Sequence, residues 1–390
     1  MDKIYECFQN CFNRTATAFF SAPGRTELGG NHTDHQHGCV LAAAVNMETV
    51  AAIGLNGTSI IRVQSEGYPL CEIDLGDLSF KESEKNTTSS LVRGIAARFL
   101  RKGAKLAGFD AYITSTVLPG SGLSSSAAFE VLMGTILNEL FFEKRLSPVE
   151  IAQIGQWAEN VYFSKPCGLM DQTASSVGGM VFIDFKDPTN PVVEKIDFNF
   201  ASTGHALCII DSGADHADLT DEYAAIPGEL KELCALFGKK VLQDIPEETF
   251  LSKLPELRYR ISDRAILRSV HFYQENRRVL KQVTALRAND FNTFLQLVKE
   301  SGRSSWMYLQ NITPAGAVVH QDMAVALALC DTLLGDRGAY RVHGGGFAGT
   351  VQAFVPLDLL DMFKEKIEDV LGEGACHVLS IHQEGGIRVK

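Results

Sequence analysis

The residues from Gly120 to Ser126 have the composition of a phosphate-binding loop. They follow a segment that suits a β-strand, and an apolar i, i+3, i+4 pattern typical of a helix begins at Phe129. A helix start has free backbone N–H groups and a positive partial charge, and glycines let the backbone approach an anion closely. The pattern predicts phosphate binding, with a serine hydroxyl in the first helical turn available to a magnesium ion.

The alternative for this segment is an ordinary serine-capped helix after a glycine turn. Two glycines and three consecutive serines before an amphipathic helix favour the phosphate-binding interpretation. The Walker pattern is excluded because no lysine follows the final glycine. The dinucleotide pattern GxGxxG is excluded because Ser125 stands at its last glycine position.

A second polar segment, Asn31-His32-Thr33-Asp34, lies in a predicted loop between two apolar strands. Its mixture of hydrogen-bond donors and acceptors suits the hydroxyl groups of a sugar. Two alternatives stay open. His32 together with His35 and His37 could bind zinc, although the spacing is wrong for a helix pair and no Cys or Glu completes a clear site. The segment could also be a solvated turn.

Two carboxylates are candidates for chemistry. Asp171 lies between apolar residues and a run of small residues, and it is either a helix cap or a functional acid. Glu159 ends a helix that starts at the capping box Ser147-Pro148-Val149-Glu150, and it could simply face solvent. Further along, the glycine cluster 344–349 beside a strand indicates either a backbone held close to another surface or a tight hairpin.

Several elements are predicted around these residues. Strands are expected at 40–45, 49–54 and 378–381, and helices at 90–106 and 315–334. A chain of 390 residues suggests two domains. A predicted hairpin near residue 187 is a plausible boundary, which divides the chain into 1–185 and 186–390.

Bulk composition limits the classes of partner. The net charge of −11 argues against binding to duplex nucleic acid or to an anionic membrane. Nine scattered cysteines without a CxxC pair or a signal peptide predict reduced thiols and a cytoplasmic location. No apolar run approaches the ~20 residues that span a bilayer. A monomer is compatible with the sequence, which leaves the oligomeric state open.

Four separated motifs together resemble the GHMP small-molecule kinase superfamily, and within it the galactokinases. These motifs are Pro23 to Asp34, Gly120 to Ala127, Cys167 to Gln172, and Gly344 to Gly349. Their order and spacing agree over nearly the whole chain. The resemblance implies an α+β fold of two domains with the active site in the cleft between them, and an ATP-dependent sugar 1-kinase.

The resemblance also implies residue roles. Asp171 is expected to take the proton from the anomeric hydroxyl of the sugar, and Arg25 to hold Asp171 and stabilise the transferring phosphoryl group. Ser126 and Glu159 are the expected magnesium ligands. The expected sugar-pocket residues are Asn31, His32, Thr33 and Asp34, with Tyr223 closing the pocket. The expected nucleotide-binding residues are Ser65, Gly120, Ser121, Gly122, Leu123, Ser124, Ser125 and Ser126.

The chain departs from the galactokinase pattern at positions that bear on the substrate. Asn31 stands where the family has an acid that faces the sugar 6-hydroxyl, and Thr26-Glu27 stands where Val-Asn is usual. D-galactose is the first expectation for the substrate. Sugars altered at C6 or C2, such as galacturonate, N-acetylgalactosamine or L-arabinose, are the alternatives. A non-catalytic galactose sensor and a kinase of mevalonate or homoserine are further alternatives, and a dinucleotide-dependent oxidoreductase is more distant.

Overall fold

The computed structural model describes residues 2–117, 122–213, 219–347 and 349–390. Its helices are α1 (Asp2–Phe12), α2 (Thr88–Arg101), α3 (Ser125–Phe141), α4 (Pro148–Ala158), α5 (Met170–Val177), α6 (Thr220–Leu236), α7 (Glu247–Leu257), α8 (Asp263–Arg287), α9 (Phe291–Ser304), α10 (Asp322–Leu334) and α11 (Leu360–Leu371). Its strands are β1 (Ala18–Gly29), β2 (Cys39–Leu55), β3 (Ile60–Ser65), β4 (Cys71–Asp74), β5 (Phe109–Ser115), β6 (Met180–Asp184), β7 (Val192–Ile196), β8 (His205–Asp211), β9 (Ala339–His343), β10 (Thr350–Pro356), β11 (Cys376–Leu379) and β12 (Ile387–Arg388).

The larger of two sheets has the order β12-β1-β2-β5-β3-β4, and β6 pairs with β2 and with β7. Its pairs are antiparallel except β3 with β5, which run parallel. Helices α2, α3 and α4 cover one face, where Phe20 and Ile113 share a buried cluster with Ile95, Leu132 and Ile154. Helix α1 packs on the other face. This arrangement fixes the ends of β1 and α3 relative to each other.

The smaller sheet is antiparallel, with the order β11-β8-β10-β9. Helices α10 and α11 cover one face through Leu327 and Phe363. On the other side, residues of α8 and α9 such as Val283 and Phe294 pack in one cluster with Leu41 of β2 and Leu207 of β8. Helices α8 and α9 therefore connect the two sheets through a shared apolar core.

Several predicted elements differ from the observed ones. Residues 40–45 and 49–54 belong to one strand, β2, because consecutive parts of it pair with β6, β1 and β5. The helix expected at 315–334 begins at Asp322, and the one expected at 90–106 ends at Arg101, before Gly103. The strand expected at 378–381 is Cys376–Leu379, and β12 follows it.

The predicted α+β class is confirmed, with two sheets and helices packed on them. The predicted division at residue 185 stays a prediction. Strands β7 and β12 lie beyond that position in the chain and belong to the larger sheet. Within the residues that the structure describes, no helix combines the length and the apolar character that a bilayer crossing requires.

Candidate active site

Arg25 of β1 and Asp171 of α5 form the centre of the site. Arg25 Nε lies 2.8 Å from Asp171 Oδ1, and Arg25 Nη2 lies 2.7 Å from Asp171 Oδ2. Arg25 Nη1 donates to the carbonyl oxygen of Gly122. The Arg25 side chain is 6% exposed and that of Asp171 is 33% exposed, so Asp171 remains accessible from one side. A bidentate pair of this kind fixes the plane of the carboxylate.

Asp171 is the second residue of α5 and is held ionised by its neighbours. Burial raises its pKa, but the charge and hydrogen bonds of Arg25, the hydroxyl of Ser124 and the charge of Lys165 outweigh burial. The pKa of Asp171 therefore lies below its ordinary value. A carboxylate held in this way accepts a proton at neutral pH but is a weak base, which suits a reaction with late proton transfer.

Ser124 precedes α3 and faces Asp171. Its backbone is left-handed, with φ of 59°, and its hydroxyl donates to Asp171 Oδ2 instead of capping the helix. The backbone N–H of Arg25 donates to the carbonyl oxygen of Leu123 at 3.1 Å. The start of α3 is thus tied to β1 and α5, which is different from an ordinary serine cap. Gly120 and Ser121, two of the predicted phosphate-binding residues, lie outside the described residues.

Ser126 and Glu159 meet in the first turn of α3. Ser126 Oγ lies 3.3 Å from Glu159 Oε1. Glu159 begins a π-helical turn, Glu159–Phe163, that follows α4 and directs its side chain inward, where the residue is 2% exposed. The alternative that Glu159 faces solvent is therefore wrong. A hydroxyl and a carboxylate oxygen are hard donors of the kind that magnesium prefers, so the pair fits the expected ion.

Gln172, for which the sequence predicted no role of its own, holds Glu159 from the inner side and connects it to Glu130. Gln172 Nε2 donates to Glu159 Oε2 at 3.0 Å and to Glu130 Oε2 at 2.9 Å. Burial raises the pKa of Glu130 well above its ordinary value, and the charge of Glu159 raises it further. Glu130 therefore favours its neutral form. A Glu inside the apolar pattern of α3 was the available signal.

Asn31 does not present a free polar group to a sugar. Its Nδ2 donates to Glu27 Oε1 at 3.2 Å and to the carbonyl oxygen of Gly344 at 2.8 Å. Its Oδ1 accepts from Ser305 Oγ at 3.2 Å and from Asn311 Nδ2 at 2.9 Å. The residue is 1% exposed. The protein itself occupies the hydrogen-bonding capacity of this side chain.

Thr33 also turns inward. Its hydroxyl lies 2.8 Å from the carbonyl oxygen of Gly30 and 2.7 Å from that of Cys39, and the residue is fully buried. The backbone N–H of Gly30 donates to Glu275 of α8 at 3.0 Å. Arg278 and the other charged neighbours of Glu275 outweigh its burial and lower its pKa to about 2. Thr33 and Glu275 therefore shape the loop that carries the predicted sugar residues.

His32 and Asp34 each lie beside another of the four motifs. His32 is partly exposed, and its Nε2 lies 3.0 Å from the carbonyl oxygen of Gly345. Burial and the neighbouring His35 lower the pKa of His32 to about 4, so its ring is neutral at pH 7. A Cβ at Gly168 would lie 1.9 Å from Asp34 Oδ2. Glycine at position 168 thus lets Asp34 lie against the segment that carries Asp171.

Tyr223 of α6 lies over the glycine cluster. Its hydroxyl donates to the carbonyl oxygen of Gly346 at 2.9 Å, and its ring packs edge-on against Phe347. A Cβ at Gly345 would lie 2.6 Å from Tyr223 Cε1. The glycine cluster is therefore held close to another surface, as the first of the two sequence interpretations expected. His32 and Tyr223 contact this cluster at neighbouring carbonyl groups.

Ser65, a predicted nucleotide-binding residue, ends β3, and His343 lies beside Gly122 before the start of α3. Ser65 ends β3 beside β5, and the chain leaves β5 toward the predicted phosphate loop. His343, which the sequence analysis did not single out, lies 3.0 Å from Thr26 Oγ1 and 2.9 Å from Thr350 Oγ1. A Cβ at Gly122 would lie 2.9 Å from His343 Nδ1. The glycine at position 122 allows this close approach.

Two family models match the chain. The model of the GHMP kinase N-terminal domain matches residues 90–179, and the galactokinase galactose-binding signature matches residues 6–55. Both matches include motifs on which the resemblance was based. The first contains the start of α3, Glu159 and Asp171, and the second contains Arg25 and the loop from Asn31 to Asp34.

Solved structures resemble the whole chain. A galactokinase from Lactococcus lactis, complexed with galactose, superposes with a TM-score of 0.85 at 24% identity, covering 99% of each chain. A mevalonate kinase from Methanococcus jannaschii has a TM-score of 0.67 at 12% identity, covering 94% of this chain and 98% of its own. A phosphomevalonate kinase from Streptococcus pneumoniae has a TM-score of 0.63 at 13% identity, covering 96% and 100%.

The chain therefore has the fold of the GHMP kinases over nearly its full length, and its residues 90–179 match the N-terminal domain model of that superfamily. Residues 6–55 match the galactokinase galactose-binding signature. The resemblance predicted from the four motifs is confirmed.

Proposed function

We propose that the protein is an ATP-dependent galactokinase, which transfers the γ-phosphoryl group of ATP to the anomeric hydroxyl of D-galactose. The products are galactose 1-phosphate and ADP. The observation that carries the proposal is the convergence of two pairs at the start of α3. Arg25 with Asp171 can orient and deprotonate an acceptor hydroxyl, and Ser126 with Glu159 can hold the magnesium ion of the nucleotide.

The proposed reaction is an in-line displacement. A bond forms between the sugar O1 and the γ-phosphorus, the bond from the γ-phosphorus to the β–γ bridging oxygen breaks, and the O1 proton passes to Asp171. Magnesium, when bound, neutralises phosphate charge. Arg25 keeps the Asp171 carboxylate in one plane, and backbone N–H groups in the first turn of α3 can donate to phosphate oxygens. Positioning and charge neutralisation are the main contributions that a protein makes to phosphoryl transfer.

For the sugar, we propose that His32 and Asp34 contact hydroxyl groups while Tyr223 closes the pocket. His32 is neutral at pH 7 and Asp34 lies beside the Asp171 segment, which supports these roles. Asn31 acts differently in this proposal. Because its polar atoms are used by the protein, it shapes the loop, and galactose recognition does not require it to be an acid.

Two alternatives have support in the same site. A sugar altered at C6 or C2 is the first, because Asn31 replaces the acid that the galactokinase pattern has. A non-catalytic galactose sensor is the second, since the galactose-binding signature by itself does not require catalysis. The assembled Arg25–Asp171 and Ser126–Glu159 pairs favour an active kinase.

We further propose a cytoplasmic location, in keeping with nine free cysteines.

Release of ADP from magnesium-ATP against a panel of sugars tests the proposal. The panel is D-galactose, D-galacturonate, N-acetylgalactosamine, L-arabinose and D-glucose. We expect the highest kcat/KM with galactose. A clear preference for galacturonate or another altered sugar would keep the kinase and change the substrate. Sugar binding without turnover of any sugar would favour the sensor.

A further inference from the structure

Lys165 lies in the segment between the π-helical turn and α5, beside the proposed magnesium ligands. Its Nζ is 3.4 Å from Glu159 Oε1, the oxygen that also lies 3.3 Å from Ser126 Oγ. Its backbone N–H donates to the carbonyl oxygen of Glu159 at 3.1 Å. Its side chain is 60% exposed. The backbone is thus anchored at Glu159, while the ammonium group reaches the same residue from the solvent side.

Arg25 is already paired within the protein, so a second cationic side chain could contact the phosphate groups of the nucleotide. The Arg25 guanidinium is engaged with both oxygens of Asp171 and with the carbonyl oxygen of Gly122. Magnesium-ATP carries net negative charge, and the transferring phosphoryl group needs cationic donors around it. A divalent ion at Glu159 Oε1 would compete with the Lys165 ammonium group for the same oxygen and repel it.

We propose that Lys165 is a phosphate-binding residue that holds Glu159 in the nucleotide-free protein and exchanges this carboxylate for a phosphate oxygen when the magnesium nucleotide binds. The flexible four-carbon stem of lysine lets the ammonium group move while the backbone stays anchored. The inference rests on the proposed function for the identity of the ligand. It adds to that function a residue that the four sequence motifs did not assign.

The first test measures metal binding without nucleotide. Mn²⁺ serves as the probe, and its binding to the nucleotide-free protein is followed by electron paramagnetic resonance. We expect Lys165→Met to bind Mn²⁺ several-fold more tightly than the unsubstituted protein, because the competing charge at Glu159 is gone. Lys165→Arg keeps the charge and should bind Mn²⁺ with nearly the original affinity.

The second test measures nucleotide binding by calorimetry with the magnesium complex of AMPPNP. We expect the dissociation constant to rise about tenfold in Lys165→Met, as is typical for the loss of one charge-assisted hydrogen bond. Lys144→Met is the matched control. Lys144 Nζ lies 2.9 Å from Glu139 Oε1 and its side chain is 69% exposed, but the pair lies at the far end of α3. This control should leave both affinities unchanged.

Each outcome decides the inference. Unchanged Mn²⁺ affinity in Lys165→Met would show that Lys165 does not hold Glu159. Tighter Mn²⁺ binding with unchanged nucleotide affinity would overturn the exchange onto phosphate. Both readouts are binding measurements. A failure of the protein to phosphorylate any sugar would therefore contradict the proposed function and leave these two results interpretable.

Discussion

Asn31 donates a hydrogen bond from Nδ2 to Oε1 of Glu27 across 3.2 Å, and both residues are buried. The galactokinase pattern has an amide at position 27 and an acid at position 31. This chain therefore has the same two side-chain types with their places exchanged, and the structure shows that the two positions are in contact. In this chain the carboxylate at position 27 forms a buried ion pair with Arg341.

This contact predicts the outcome of moving the acid. Asn31→Glu should place a second carboxylate beside Glu27 and remove two donors, at a cost of about 3 kcal/mol in the free energy of unfolding. The double variant Glu27→Asn with Asn31→Glu restores one acid and one amide and should recover at least about 1 kcal/mol of that loss. Denaturant unfolding of the two single variants and the double variant provides the measurement. Strictly additive effects would mean that the two positions are independent.

Ser124 provides a prediction about the pH dependence of turnover. Its hydroxyl helps to lower the pKa of Asp171, so Ser124→Ala should raise that pKa toward its ordinary value. Asp171 must be ionised to accept a proton. The acidic limb of the kcat profile should consequently move to higher pH, while activity at pH 8 falls less than activity at the acidic end. An acidic limb that stays in place would argue that Asp171 does not titrate in the rate-limiting step.

Glu130 predicts a pH dependence of stability. Its pKa in the folded protein lies well above the ordinary value of 4.5, so the folded state binds this proton more tightly than the unfolded chain. The contribution of Glu130 to stability is complete below pH 4.5 and is lost as the pH rises toward the folded pKa. Glu130→Gln removes this titration. Thermal unfolding from pH 5 to pH 8 provides the measurement. The melting temperature of Glu130→Gln minus that of the unsubstituted protein should increase as the pH rises. A constant difference would contradict the prediction.

The sequence predicted the local chemistry of the site better than its contacts. Arg25, Asp171, Ser126 and Glu159 were identified by resemblance, and the structure brings them together. The sequence did not show whether Asn31 and Glu159 face solvent, because burial depends on elements far away in the chain. Asn31 forms hydrogen bonds with four residues far away in the chain, namely His271, Ser305, Asn311 and Gly344.

Two other differences have similar causes. The long strand β2 was divided in two because local pattern does not reveal that different partners pair with its two halves. The position of Glu130 inside the apolar pattern of α3 was visible in the sequence, but its partner Gln172, 42 positions away, was not. Periodicity indicated the kind of the elements that were predicted, whereas the networks between elements required the fold.

In the proposed reaction Asp171 receives the proton of the acceptor hydroxyl, and the variant Asp171→Asn is the decisive test of this role. Galactose 1-phosphate and ADP are measured with magnesium-ATP, and galactose binding is measured by calorimetry on the same preparation. Thermal unfolding serves as the control for folding, since the change leaves Arg25 without its carboxylate partner. We expect phosphoryl transfer to fall by at least about 100-fold while galactose binding is largely retained. Turnover near that of the unsubstituted protein would contradict it.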